Sequence, residues 1–177
     1  MEPFKANMLN WSMGEKDGSS KGVVKNGYYF WESTIEAHKK TSKYVFINPK
    51  RDFEIETRFA RISSASKSSL QSFTFGSDEG IIYYFGIDAL GRFKIHSSDG
   101  SFYHLFQDTT TSSHIDPSSL NTLTVRKIGQ IVSFYINSQL VFETEINSIV
   151  VDRVGFQTGF LSKIMIDYIA VHALEKL

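Results

Sequence analysis

The chain has 177 residues and a mass of 20.1 kDa, a length that one all-β domain fills and that buries a sizeable core without covalent staples. It has no cysteine, which excludes a disulfide framework, a thiolate zinc site and a cysteine nucleophile and leaves the compartment open. Lys plus Arg and Asp plus Glu each total 19, so no global field draws the chain to nucleic acid or to an anionic membrane surface.

The opening stretch "MEPFKANMLNWSMGEKDGSSKG" lacks a basic segment followed by an apolar one and does not read as a signal peptide. Residues 1–26 read as an irregular lead packed on the domain, with Trp11 over an open core edge, and residues 27–177 as a single domain. Period-two alternation, the signature of half-buried strands, then recurs in short segments. In chain order these are "GYYFWES" (27–33), "KYVFIN" (43–48), "DFEIETRFARI" (52–62), "QSFTFGS" (71–77), "GIIYYFGID" (80–88), "GRFKIHS" (91–97) and "SFYHLFQ" (101–107). The second half continues with "LNTLTVRKI" (120–128), "QIVSFYIN" (130–137), "QLVFETEI" (139–146), "DRVGFQTG" (152–159) and "SKIMIDYIAVHA" (162–173). The run "GIIYYFGI" is far short of the roughly 20 residues of a membrane span, and the chain reads as soluble.

Short polar turns join neighbours, with Gly129 and Asn137 placed to take a positive φ. Ser/Thr-rich stretches at 63–69 and 108–119 read as surface loops. The one helix candidate, residues 32–43, has no apolar stripe. Many short strands at this spacing predict an all-β fold, a two-sheet antiparallel β-sandwich. The residues in phase to face inward are Phe53, Ile55, Phe59, Phe73, Phe75, Tyr83, Phe85, Phe93 and Ile95. In the second half they are Leu123, Val125, Val132, Phe134, Ile136, Ile164, Ile166 and Tyr168.

The succession "DFEIETRFARIS", "FTFGSDEGIIYYFGIDALGRFKI", "LTVRKIGQIVSFYINSQLVFETE" and "DRVGFQTGFLSKIMIDYIAVH" resembles the concanavalin A-like lectin/glucanase jelly rolls. Laminin-G-like and bacterial glycan-associated modules, including keto-disaccharide hydrolase-like domains, are the nearest likeness. It spans roughly residues 27–173, with Ser138 where the family usually has Gly. The resemblance implies a jelly roll, often with a glycan-binding concave face, and does not by itself imply catalysis.

Asp52, Glu54, Glu56 and Arg58 share one side of their strand. Side chains two apart lie about 6.5–7 Å from each other, within the range of glycosidase carboxylate pairs. Jelly-roll glucanases carry a Glu-x-Asp-x-Glu pattern on one strand; here the first two acids are exchanged, which shortens one reach by about 1.5 Å in chemistry that tolerates about 1 Å. Arg58 can pair with Glu56. Alternating charge on a solvated face is the reading favoured over a catalytic row. On the same outward parity stand Tyr84 and Asp88, then Arg92, Lys94 and His96, then Tyr103. Rings beside charged donors suit a sugar, whose C–H face stacks while its hydroxyls hydrogen-bond; cross-strand charge pairing on an exposed sheet is the alternative. The run "YYFW" (28–31) is either a stacking platform or a core strand.

No His-x-x-x-His spacing, nucleophile elbow, P-loop or dinucleotide fingerprint occurs. The turns "SDEG" and "SSDG" are ordinary turn chemistry; related sandwiches hold calcium at loop carboxylates, so calcium is the one cofactor to test. The function expected is non-catalytic recognition of an oligosaccharide or glycoconjugate on an outer concave sheet face, through Glu54, Glu56, Arg58, Tyr84, Arg92, Lys94, His96 and Tyr103. Its alternatives are a glycoside hydrolase using Glu54 and Glu56, and a protein–protein docking or sensor domain.

Overall fold

An apolar residue at every second position commits a segment to one buried face, and two such faces closed on each other make this molecule. A computed structural model describes residues 2–3, 10–77 and 79–174. Among them there is no helix, and the strands form two antiparallel sheets. Numbered along the chain, the nine-stranded sheet runs in space β13 (Gln139–Glu145), β12 (Ile131–Ile136), β11 (Asn121–Ile128), β6 (Asp52–Ser63), β15 (Lys163–Leu174), β4 (Tyr28–Ser33), β3 (Ser20–Lys25), β2 (Gly14–Lys16). The two-residue β1 (Glu2–Pro3) pairs with β15. The six-stranded sheet runs β10 (Tyr103–Thr111), β9 (Arg92–Ser98), β8 (Ile82–Ile87), β7 (Gln71–Gly76), β14 (Arg153–Thr158), β5 (Lys39–Tyr44).

The inner faces meet in an aromatic core. Phe134 of one sheet lies edge-on to Phe85 of the other at 5.4 Å, with Phe75 at 6.3 Å. Phe156 packs against Trp11, Phe59 and Phe73 at 5.9, 5.8 and 6.2 Å. Every residue predicted to face inward is buried except Tyr168. The pairing of β15 with β6 slips between Ile166 and Tyr168, so Asp167 is the extra residue of a bulge that turns the following alternation over. Ile169 takes the core position and Tyr168 turns outward.

Three other expectations change. Residues 14–25, read as part of an irregular lead, form β2 and β3 at the edge of the larger sheet. Trp11 is buried inside the core, 5.4 Å from Tyr29, whose hydroxyl donates to the Ser12 carbonyl at 2.9 Å. The strand placed at 43–48 lies earlier, at Lys39–Tyr44, and leaves Phe46 94% exposed. The run at 28–31 is a core strand: Tyr29 and Trp31 are buried, and Tyr28 and Phe30 alternate with them on the outer side. At the β12–β13 hairpin Asn137 and Ser138 both take positive φ, 49° and 68°, the pairing of a type I′ turn, so Ser138 fills the position without glycine.

Candidate functional site

The sandwich has two outer faces, and the eight residues singled out in the sequence divide between them. Glu54, Glu56 and Arg58 stand on β6 in the nine-stranded sheet; Tyr84, Arg92, Lys94, His96 and Tyr103 stand on β8, β9 and β10 in the six-stranded sheet. Facing sheets pack about 10 Å apart with both backbones between their outer surfaces, so the eight do not form one platform.

On the nine-stranded sheet the acidic row is bound to its own neighbours. Arg126 lies directly across from Glu54 in register and donates through Nε at 2.6 Å; the Glu54 hydrogen bond raises the guanidinium pKa further. Thr124, opposite Glu56, donates to it at 3.1 Å, and the Tyr168 hydroxyl donates at 2.5 Å. Burial, followed by that bond to Glu56, pushes the Tyr168 hydroxyl up to about 12. Arg58 pairs with Asp167, the bulge residue, rather than with Glu56. Asp52 accepts from the Gly129 amide at 2.8 Å. Exposed cross-strand pairs of this kind contribute about 0–1 kcal/mol each; their effect here is to neutralise the face.

The six-stranded sheet presents a different surface. The register aligns Ser42, Gly155, Thr74, Tyr84, His96 and Leu105 in one row across its six strands. Lys40 on β5 nevertheless donates to the Tyr84 hydroxyl and sits 4.8 Å from its ring centre. Three inter-strand steps separate β5 from β8, about 14 Å of backbone. Both side chains therefore lean inward over Gly155, Thr74 and Ser72, which are small enough to leave them room. His96 stacks on Tyr84 at 4.5 Å with the ring planes 1° apart, and Tyr103 stacks on His96 at 4.9 Å. Lys94 lies 5.6 Å from the Tyr103 ring centre. Tyr84 is only 5% exposed and serves as the inner member of the stack, whereas Tyr103 is 56% exposed and offers a free ring.

Arg92 and Asp88 belong to the β8–β9 turn. Asp88 is buried, accepts from the amides of Leu90 and Arg92, and holds the Arg92 side chain at 2.6 Å. Lys40 was missed in the sequence because its strand shows one buried apolar-facing position, Thr41, among polar residues; the strand-edge lysines gave no alternation to detect.

Burial, then the charges of Lys94 and Lys40, lower the His96 pKa to about 4, which keeps the ring neutral at pH 7. Its Nδ1 is buried without a hydrogen-bond partner among the described residues. The unfolded ring titrates near 6.5, so between about 6.5 and 4 the unfolded chain binds the proton first and stability falls as pH falls. Discounted for the water that reaches this face, the loss is about 1–2 kcal/mol. Unfolding free energies at pH 7 and pH 4.5 are expected to differ less for His96→Gln than for the parent; equal differences would contradict the assignment.

Turn carboxylates are occupied locally. Asp99 accepts from the amides of Ser101 and Phe102 at 2.9 and 2.7 Å, and these bonds lower its pKa. Among the described residues no group of three or more His, Cys, Asp or Glu side chains is placed to hold a metal ion; Asp78 of "SDEG" lies outside the described residues.

No family model matches the sequence, and no curated protein matches it. Solved structures do match in shape. The carbohydrate-binding module CBM66 from Bacillus subtilis aligns at a TM-score of 0.61 and 14% identity, over 94% of this chain and 98% of that one. The VIP36 exoplasmic/lumenal domain, in its Ca2+/Man3GlcNAc-bound form, aligns at 0.63 and 11% identity over 100% and 88%. The endo-β-1,3-glucanase from Pyrococcus furiosus aligns at 0.65 and 8% identity over 91% and 80%. The chain has the concanavalin A-like lectin/glucanase jelly-roll fold.

Proposed function

We propose that the chain is a non-catalytic carbohydrate-recognition module that takes a saccharide on the outer face of its six-stranded sheet. The observation that carries this reading is the stack Tyr84–His96–Tyr103, capped by Lys40 and Lys94 and ending in an exposed ring. A tyrosine face packs on the C–H side of a pyranose, while ammonium and imidazole groups at its margin bond hydroxyls. Carbohydrate-binding modules and lectin domains among the similar structures support the ligand class. The outward strand positions of β5, β14, β7, β8 and β9 hold no carboxylate, and β10 adds the single Asp108, which weighs against an acid pair of the kind glycoside hydrolysis uses. On the opposite face Glu54 and Glu56 are already bonded to Arg126, Thr124 and Tyr168, which weighs against the hydrolase alternative.

The test is calorimetric titration with oligosaccharides chosen by a glycan array. Tyr103→Ala is expected to weaken binding by about ten-fold or more, near 1.4 kcal/mol, while Glu54→Gln on the other face leaves it within about two-fold. Binding that survives Tyr103→Ala and fails with Glu54→Gln, or release of a shortened sugar, would overturn the reading.

A further inference from the structure

The geometry points to an acidic saccharide, one carrying a carboxylate or sulfate group, as the ligand class of the Lys40–Tyr84–His96–Lys94–Tyr103 face. This inference rests on the recognition reading above and narrows it. Although the whole chain is neutral, its charges are sorted between the two outer faces. On the nine-stranded sheet Arg126 is matched with Glu54, Arg58 with Asp167 and Lys163 with Glu32, while Lys21 and Lys25 stand exposed on β3 near its margin. The six-stranded sheet sets Lys40, Lys94 and Arg153 outward with no carboxylate on the strands between them. Asp88 is consumed by Arg92 in the turn. Asp108, on the edge strand, reaches Lys94 only at 3.8 Å and is 75% exposed, a loose contact that an incoming anion can replace.

Desolvation decides the ligand. A neutral sugar laid on Tyr103 would take water from the Lys94 and Lys40 ammonium groups and return only neutral hydroxyls, a poor exchange for a charged group. A carboxylate or sulfate restores charge-assisted hydrogen bonds, roughly twice as strong as neutral ones. The neutral His96 ring between the two ammonium groups adds no further positive charge to be matched.

Matched pairs of saccharides test this: oligogalacturonate hexamer against its methyl ester, sialyllactose against lactose, and chondroitin 4-sulfate oligomer against its desulfated form. In 50 mM salt the acidic member of at least one pair is expected to bind about ten-fold tighter or more, and this advantage should shrink several-fold at 300 mM as screening sets in. The first two pairs report carboxylate and the third sulfate. Lys94→Gln should remove most of the advantage, and Lys40→Gln part of it, with thermal melts checking that each variant folds; Arg126→Gln on the opposite sheet should leave it intact. If neutral and acidic members bind alike and both are lost with Tyr103→Ala, the acidic assignment falls and the recognition face stands. If no member of any pair or of the array binds, or if binding ignores Tyr103→Ala, the recognition face itself falls.

Discussion

Phe156→Ala is expected to lower the unfolding free energy by about 3–5 kcal/mol, the range for removing a fully buried phenylalanine. Phe156 stands on β14 of the six-stranded sheet and touches Phe59 of the nine-stranded sheet, Phe73 of its own sheet and Trp11 of the leading segment. Its loss opens a cavity where three parts of the chain meet, and rigid neighbours on both sheets limit collapse into it. Urea titration measures the effect. A loss below about 1 kcal/mol would mean that Trp11 and the sheets do not share one core.

Gly155→Ala is the second large effect. A Cβ at this position would lie 2.1 Å from the Thr41 carbonyl oxygen and 2.8 Å from the Ser42 Cα, backbone atoms that move only if β5 moves. Overpacking of this kind costs about 1–3 kcal/mol, and β5 is an edge strand whose sheet partner is β14. The substitution should therefore speed amide exchange along Lys39–Tyr44 and weaken saccharide binding together, because Lys40 travels with the strand. Gly129→Ala is the comparison. That turn has φ 61° and open space around it, so its cost is the backbone term alone, about 1–2 kcal/mol, with binding unaffected. Equal exchange rates in β5 for Gly155→Ala and the parent would contradict the coupling of fold and site.

The sequence showed which side chains turn inward, since alternation of Phe, Ile and Val is a local signal. It could not show which outside an outward residue joins. Glu54 and Tyr84 share the same parity, yet the chain crosses from one sheet to the other between Ser63 and Gln71, and strand order arises from long-range pairing that no local pattern records. Tyr168 was misplaced for a related reason: a one-residue bulge at Asp167 has no composition of its own, and it reverses everything after it. Asp88 kept outward parity in sequence but lies at the end of its strand, where its carboxylate is drawn into the turn. Lys40 escaped notice because an edge strand needs little apolar content to hold its place. What could be read ahead of the structure was the sandwich, the three rings Tyr84, His96 and Tyr103, and Lys94, but not Lys40.

The most direct measurement is a map of backbone amide shifts on titrating the protein with the saccharide that a glycan array selects. The shifts should concentrate on Lys40, Tyr84, Lys94, His96 and Tyr103 and spare Glu54, Glu56 and Arg126. Shifts centred on β6 and β11, with the six-stranded sheet silent, would contradict this placement.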